Sequence, residues 1–295
     1  MKLRSIEMVL PEAETAAIFM KDVWGMQVAE VLNDTFYLRG SGPFPYLVAF
    51  EEGASPFVRS VTFVCSSDEL SKLKAGVQNH GLNASPVISA DPGGGEGLLV
   101  ELPEGGVFRF LAGTQNVDAI KGSDLPVQLT HVVLNAEDAE ACGDIVEKAL
   151  GFLVSDRTKG MVFVRCNEKH HSTAFARAGF SSLNHIAFEM EDLDAVMRGI
   201  GRLRDYNMTP AWGPGRHGPG DNAFAYFIAP FNAVVEFSTA VESVPEDYRV
   251  GGPEDWTWPP GRIDQWGISE KDNENLRKAE QNFRFRRDWE PQPLN

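Results

Sequence analysis

Short apolar runs of strand-like character alternate with amphipathic stretches along most of the chain, and the same order occurs twice. Residues 5–10 and residues 129–134 each form a short, mostly apolar run. Each run is followed by an acidic, Ala-rich stretch with helical spacing that ends near a glycine, and then by further strand-like runs. Among those runs, residues 35–39 match residues 161–165. The pattern predicts two halves built on one plan.

A second module follows in each half. Residues 60–63 correspond to residues 185–188, and the pattern after each predicts a helix. Ser66 and Glu69 have the spacing of a capping box at the start of the first of these helices. The second helix carries apolar residues at helical spacing, namely Leu193, Val196, Met197, Ile200 and Leu203. Each module closes with a turn and a strand.

The repeats together predict four βαβββ units arranged as two halves. The fold class is α+β, with small mixed sheets curled around a cavity and helices outside. We expect the first half at residues 1–115, a polar linker at 116–125 and the second half at 126–240. The tail, residues 241–295, fits neither half. It begins rich in Pro, Gly and Trp, then becomes charged, and we expect a helix over about residues 269–289.

Composition limits the classes of function. The 295 residues carry 42 acidic against 27 basic side chains, a formal net charge of −15. This disfavours a nucleic-acid binder and attachment to anionic lipid. The pattern predicts no membrane-spanning segment and no secretory signal. Three cysteines without metal-like spacing predict a reduced, cytoplasmic protein with structural thiols: Cys65, Cys142 and Cys166.

Histidine is distributed unevenly between the halves. His80 lies in the first half, in a stretch typical of a helix end. The other five histidines lie between residues 131 and 217, in the second half: His131, His170, His171, His185 and His217. A lone histidine is most often an ordinary core or surface residue. Five in one repeat, without matches in the other, indicate a functional site.

Three of the polar residues in the second half occupy equivalent predicted strands. His131 and His185 lie on the first strands of the third and fourth modules, and Glu236 lies among apolar residues on the last strand. Burying a carboxylate is costly unless it is paired or bound to a metal. The set has the composition of a facial triad, which leaves other positions of an octahedral metal open. The alternative is a pair of core histidines with a buried salt bridge. The expected first-half counterparts, at similar spacings, are Glu7, Ser60 and Arg109.

The residues around Glu236 resemble a known family, the type I extradiol ring-cleaving dioxygenases of the vicinal oxygen chelate superfamily. The motif that carries the resemblance consists of Gly215, His217, Tyr226, Pro230 and Glu236. The chain departs from the family pattern at Ala225, where a larger apolar residue is usual, and at Asn232, where Gly is usual. Because Asn also tolerates positive φ, we expect the turn at Asn232 to be kept.

The resemblance implies a role for each site residue. His131, His185 and Glu236 correspond to the ligands of Fe(II), with Mn(II) as the alternative metal, and O2 is the co-substrate. His171 resembles the family's acid–base histidine. His217 and Tyr226 resemble the groups that hold the bound aromatic diol. A homo-oligomer is also implied.

His170 directly precedes the predicted acid–base histidine. Neighbours on a strand point to opposite faces. We therefore expect His171 alone to line the cavity, and His170 to be an outward-facing or packing residue.

The leading hypothesis is an Fe(II)-dependent extradiol dioxygenase that opens a catechol ring beside its two hydroxyls. The resemblance implies a ring-opened semialdehyde or keto acid as the product, in the degradation of aromatic compounds. A second hypothesis is a metal-dependent isomerase or lyase similar to glyoxalases, which does not use O2. The trio His171, His217 and Tyr226 argues against it. A third, a non-catalytic module that binds an aromatic ligand, does not require a complete triad.

Overall fold

The computed structural model describes residues 1–121 and 124–285. Strands β1–β8 form one mixed sheet in the order β2-β3-β4-β1-β5-β8-β7-β6. The strands are β1 Lys2–Leu10, β2 Gln27–Leu32, β3 Thr35–Arg39, β4 Val48–Glu52, β5 Phe57–Val64, β6 Ala84–Ile88, β7 Glu96–Glu101 and β8 Val107–Ala112.

Strands β9–β16 form a second sheet with the same order, β10-β11-β12-β9-β13-β16-β15-β14. The strands are β9 Gln128–Ala136, β10 Leu153–Arg157, β11 Met161–Arg165, β12 Thr173–Arg177, β13 Ser182–Glu189, β14 Trp212–Arg216, β15 Ala223–Ile228 and β16 Val234–Thr239. The predicted α+β class, the four βαβββ units and the two similar halves are confirmed.

The helices are α1 Ala13–Phe19, which continues as a π-helical turn at Met20–Trp24, α2 Ser67–Asn79, α3 Ala139–Leu150, α4 Leu193–Asp205 and α5 Asn273–Ala279. Helix α2 begins with the predicted capping box, in which the Ser66 and Glu69 side chains bond reciprocally to backbone N–H groups. Helix α5 is shorter than expected for the tail. The predicted helix extended to about residue 289, and residues from 286 onward lie outside the described part of the chain.

The strand registers relate the halves residue by residue. Ile6 and Phe108 both pair with Val61, as Val132 and Val235 both pair with Ile186. Ser60 therefore corresponds to His185, and Arg109 to Glu236, as predicted.

The predicted counterpart of His131 is wrong. Ser5 precedes Ile6 as His131 precedes Val132, so Ser5 corresponds to His131 and Glu7 to Val133. Ser5 and Glu7 are two residues apart and share one face of β1, so sequence spacing alone does not separate them.

The place of the triad is taken in the first half by a buried ion pair. Glu7 accepts hydrogen bonds from Ser60 at 2.6 Å and from Thr62 at 2.7 Å, and it lies 2.9 Å from Arg109 Nη2. Arg109 Nη1 lies 2.6 Å from Asp91. The Arg109 guanidinium, paired with two carboxylates, occupies the position that a metal would take, and its positive charge repels a cation.

One apolar core runs through both halves. Trp24, from the first half, stacks on Phe237 with centroids 3.8 Å apart and an interplanar angle of 13°. Phe152, from the second half, packs edge-on against Phe63 at 5.1 Å. Each half buries an aromatic side chain against the other, so these contacts stabilise both halves. The division into domains at 1–115 and 126–240 stays a prediction.

Two further sequence expectations concern cysteines and membranes. Cys65, Cys142 and Cys166 are all free of disulfides. Across residues 1–121 and 124–285, no helix has the length and apolar character needed to cross a membrane.

Candidate active site

Three adjacent strands of the second sheet bring together the predicted metal ligands. His131 lies on β9, His185 on β13 and Glu236 on β16, and each of these strands pairs with the next. Glu236 Oε2 lies 3.2 Å from His131 Nε2 and 3.1 Å from His185 Nε2. The three side chains are buried, Glu236 completely. The ligand atoms all lie within 4.8 Å of one another. The predicted triad is therefore one compact cluster.

A chain of hydrogen bonds fixes the tautomer of His185. The Glu280 carbonyl can only accept, so the Ser182 hydroxyl donates to it at 2.6 Å. Asn135 Nδ2 then donates to Ser182 Oγ at 3.0 Å, and Asn184 Nδ2 donates to Asn135 Oδ1 at 2.8 Å. Asn184 Oδ1 is left to accept, and it lies 2.7 Å from His185 Nδ1. His185 therefore carries its hydrogen on Nδ1.

The donor set fits a divalent metal. With its hydrogen on Nδ1, neutral His185 points the Nε2 lone pair at the Glu236 carboxylate, 3.1 Å away. Two lone pairs at this distance repel unless a cation lies between them. Burial would raise the pKa of Glu236, but the neighbouring imidazoles, His131 above all, outweigh it and hold that pKa well below its usual range. Two imidazoles and one ionised carboxylate suit Fe(II) or Mn(II).

Asn184→Ala is expected to lower the affinity of the protein for Fe(II) or Mn(II) by about 10- to 100-fold, because His185 loses the acceptor that fixes its tautomer and orientation. Competition with a chromophoric chelator measures this. Asn79→Ala, at the exposed end of α2, is the control and should bind metal as the wild type does. Equal affinity for all three proteins would contradict the assigned tautomer.

His171 lies beside the triad and carries a relay of its own. Its ring centroid is 4.3 Å from that of His131. His171 Nδ1 lies 3.0 Å from His170 Nδ1, and His170 Nε2 lies 2.7 Å from Asp156 Oδ2. The Asp156 carboxylate accepts from His170 Nε2–H, and with its hydrogen on Nε2 the His170 ring accepts at Nδ1 from His171 Nδ1–H. His171 Nε2 then keeps a free lone pair. Burial, reinforced by the other histidines, holds the pKa of His171 well below its ordinary value.

His170 does not line the cavity, as predicted, and it is a packing residue, one of the two alternatives expected for it. It is completely buried and lies against Asp156. The rule of alternating faces does not apply, because His170 and His171 lie in the bend before β12. Asp156 was not singled out in the sequence, since its place beside His170 depends on the packing of β10.

Tyr226 and His217 approach the triad from the β14–β15 side. The Tyr226 hydroxyl lies 3.4 Å from His185 Nε2 and 3.0 Å from His217 Nε2. Tyr226 is paired directly opposite Glu236 because the chain turns back between β15 and β16. Asn232 makes that turn at a φ of 58°, as predicted. Burial raises the pKa of Tyr226 well above its ordinary value, so the phenol keeps its proton.

The six predicted site residues surround one cavity of about 1070 Å³, which His131, His171, His185, His217 and Tyr226 line directly. The tail forms part of its wall, through Trp256, Trp258, residues 259–263 and side chains near α5. The tail therefore encloses part of the cavity. Trp212 also lines the cavity and stacks on Tyr226 with centroids 5.3 Å apart.

The metal-free protein is expected to lose stability as the pH falls through the range of histidine titration. Burial lowers the pKa of His217 to about 3, against an ordinary value of 6.5. Below pH 6.5 the unfolded chain therefore binds a proton that the folded chain does not, and this favours unfolding. Because His217 is partly exposed, we expect an effect of about 1 kcal/mol between about pH 7.5 and about pH 5.

Urea unfolding of the wild type and of His217→Gln at both pH values measures this difference. The variant should lose less of its free energy of unfolding on acidification. Parallel losses in the two proteins would contradict the depressed pKa.

The chain is similar in sequence and in structure to known proteins. A segment of 152 residues is 28% identical to metapyrocatechase 2 of Cupriavidus necator, covering 48% of this chain and 45% of that protein. The chain thus matches less than half the length of that relative. A solved structure of a Mn(II)-bound glyoxalase from Novosphingobium aromaticivorans is 28% identical, covers 93% of both chains and has a TM-score of 0.85.

A variant of homoprotocatechuate 2,3-dioxygenase from Brevibacterium fuscum has the same fold, with a TM-score of 0.81 at 20% identity, over 90% of this chain and 78% of that one. Residues 128–237, which contain the whole triad, match the family model described as Glyoxalase/Bleomycin resistance protein/Dioxygenase superfamily.

Proposed function

We propose that the protein is an Fe(II)-dependent extradiol dioxygenase that opens a catechol-type ring beside its vicinal hydroxyls. The observation that carries this proposal is the convergence of His171, His217 and Tyr226 on the cavity that holds the His/His/Glu cluster. The product keeps every atom of the diol and gains both atoms of O2, so no external reductant is needed. The name of the metapyrocatechase relative supports the same chemistry.

His131, His185 and Glu236 would hold the metal. When bound, a divalent cation with open positions would supply Lewis acidity that lowers the pKa of a diol hydroxyl, and room for O2. Fe(II) is the proposed metal and Mn(II) the alternative, because this donor set accepts both.

His171 is the proposed acid–base residue. Its Nε2 lone pair is free when Nδ1–H donates to His170, so Nε2 can accept the proton of a diol hydroxyl. The same burial that depresses the pKa of His171 makes the added proton easy to return. Asp156 and His170 fix the ring that carries out both transfers.

Tyr226 and His217 are the proposed substrate-holding pair. Tyr226 is protonated, and its hydroxyl lies within hydrogen-bond distance of His217 Nε2. With a pKa lowered to about 3, His217 is neutral near pH 7. A neutral imidazole and a phenol can orient a diol oxygen without adding charge to the site.

A glyoxalase-type isomerase is the second candidate, favoured by the likeness to the Mn(II)-bound glyoxalase over 93% of the chain. Isomerisation needs a metal and a base that moves a proton between carbons, but it does not need O2. His171, His217 and Tyr226, which line the cavity beside the triad, favour the dioxygenase.

Oxygen uptake separates the two candidates. Protein loaded anaerobically with Fe(II) is mixed with O2 and a panel of catechols carrying alkyl, carboxyl or phenyl groups, and in parallel with a glutathione hemithioacetal. Uptake matched by new visible absorbance from the ring-opened product supports the dioxygenase. Conversion of the hemithioacetal without uptake, by protein shown to contain metal, would overturn it in favour of the isomerase.

A further inference from the structure

The active-site cavity carries a charge bias opposite to that of the whole chain. Acidic residues outnumber basic residues 42 to 27 in the sequence. Among the described residues that line the cavity, however, one carboxylate, Glu280, faces five cationic side chains: Lys159, Arg177, Arg262, Lys271 and Arg277. A concave surface with this bias attracts anions and raises their local concentration.

Lys271 is the most enclosed of these cations. Lys159, Arg177, Arg262 and Arg277 are exposed, whereas Lys271 is partly buried. Its Nζ lies 4.3 Å from the centre of the Trp212 ring, a cation–π contact. Within the described part of the chain, no carboxylate comes within 4.0 Å of Lys271 Nζ, and no hydrogen-bond acceptor is in reach. Burial lowers the pKa of Lys271 while Glu280 opposes the shift, as expected for an ammonium short of a counterion.

Lys271 lies where it could contact a substituent on the ring of a bound diol, rather than the diol hydroxyls. Lys271 contacts Trp212, Trp212 stacks on Tyr226, and the Tyr226 hydroxyl lies 3.4 Å from His185 Nε2. The rings of Trp212 and Tyr226 therefore connect the ammonium to the triad. An aromatic diol whose oxygens face the triad would direct its substituents toward the outer part of the cavity, where the cations lie.

We propose that Lys271 binds a carboxylate carried on the ring or on a short side chain of the diol, so that the substrate class is catechols with an anionic substituent. The inference rests on the proposed function and deepens it. Lys271 is a specificity-determining residue in this account: its ammonium forms a charge-assisted hydrogen bond with the substrate carboxylate while keeping its contact with Trp212.

The test compares a carboxymethyl catechol with its methyl ester, which has nearly the same shape and no charge. Initial rates of oxygen uptake are measured for the Fe(II)-loaded wild type, for Lys271→Met and for Lys278→Met. Lys278 is an exposed residue of α5 that pairs with Glu274, and it is the matched control. Quenching of tryptophan fluorescence by each catechol under anaerobic conditions gives binding without turnover, because Trp212 contacts Lys271.

The wild type should prefer the acid over the ester in kcat/KM, and Lys271→Met should reduce that preference by about 10- to 100-fold, the range for a hydrogen bond to a charged group. Lys278→Met should keep it. Cleavage of both catechols with no preference, or equal losses for both in Lys271→Met, would overturn the anion site and leave the dioxygenase standing. Tight binding of the acid with no cleavage of either catechol would overturn the dioxygenase and leave the anion site standing.

Discussion

Glu236→Gln is expected to lower the affinity for Fe(II) or Mn(II) by more than about 100-fold. Turnover should fall to the same extent as the amount of bound metal. The substitution keeps the size of the side chain but removes the anionic ligand, and its amide directs hydrogens at the imidazoles that the carboxylate now faces at 3.1 and 3.2 Å. Anaerobic titration with metal in the presence of a chelator measures the loss.

The stability of the metal-free variant separates loss of metal from loss of fold. Glu236 is completely buried, and the glutamine amide, which has the same shape, can donate to the Nε2 lone pair of His185 that the carboxylate now faces. The melting temperature of metal-free Glu236→Gln should therefore equal or exceed that of the metal-free wild type. Glu246→Gln, at an exposed position, is the control and should bind metal normally. Wild-type affinity in Glu236→Gln would refute the ligand assignment.

His171→Gln is expected to lower kcat by about 100- to 10,000-fold, the usual contribution of a general acid–base residue. The metal content should not change, because His171 packs against His131 at a centroid distance of 4.3 Å without belonging to the triad. Steady-state oxygen uptake gives kcat and KM, and atomic absorption gives the iron content. KM should change by only a few fold, since the proposed substrate-holding pair, Tyr226 and His217, is unchanged.

Asp156→Asn extends this test to the relay. An asparagine amide can donate toward His170 Nε2, which would reverse the hydrogen bonds that leave the His171 Nε2 lone pair free. We expect kcat to fall by less than in His171→Gln, with little change in KM. His80→Gln, at the exposed end of α2, should keep wild-type kinetics.

A kcat within about twofold of wild type in His171→Gln would contradict the acid–base role.

The features that sequence predicted correctly depend on local pattern and on the repeat. Strand-like apolar runs place β3 and β11 at their observed bounds, and the capping box at Ser66 starts α2 where expected. The repeat supplies the equivalence of His185 with Ser60, which the register confirms. Asn232 adopts the positive φ that its chemistry permits.

The features that sequence did not predict depend on which strands and segments meet. Ser5 rather than Glu7 matches His131, because pairing register, not spacing, decides the equivalence. Asp156 reaches His170 only through the packing of β10 beside the bend that carries both histidines. The tail provides Lys271 and part of the cavity wall, and no periodicity in residues 241–295 indicates where that segment folds back.

The most direct test of the central claim is a single-turnover reaction under isotopically labelled O2. Fe(II)-loaded protein is mixed anaerobically with one equivalent of a cleavable catechol and exposed to labelled O2, and the rapidly quenched product is analysed by mass spectrometry. An extradiol dioxygenase would give a ring-opened product that carries both labelled oxygen atoms. A product without label, or oxidation of the diol to a quinone without ring opening, would contradict the central claim.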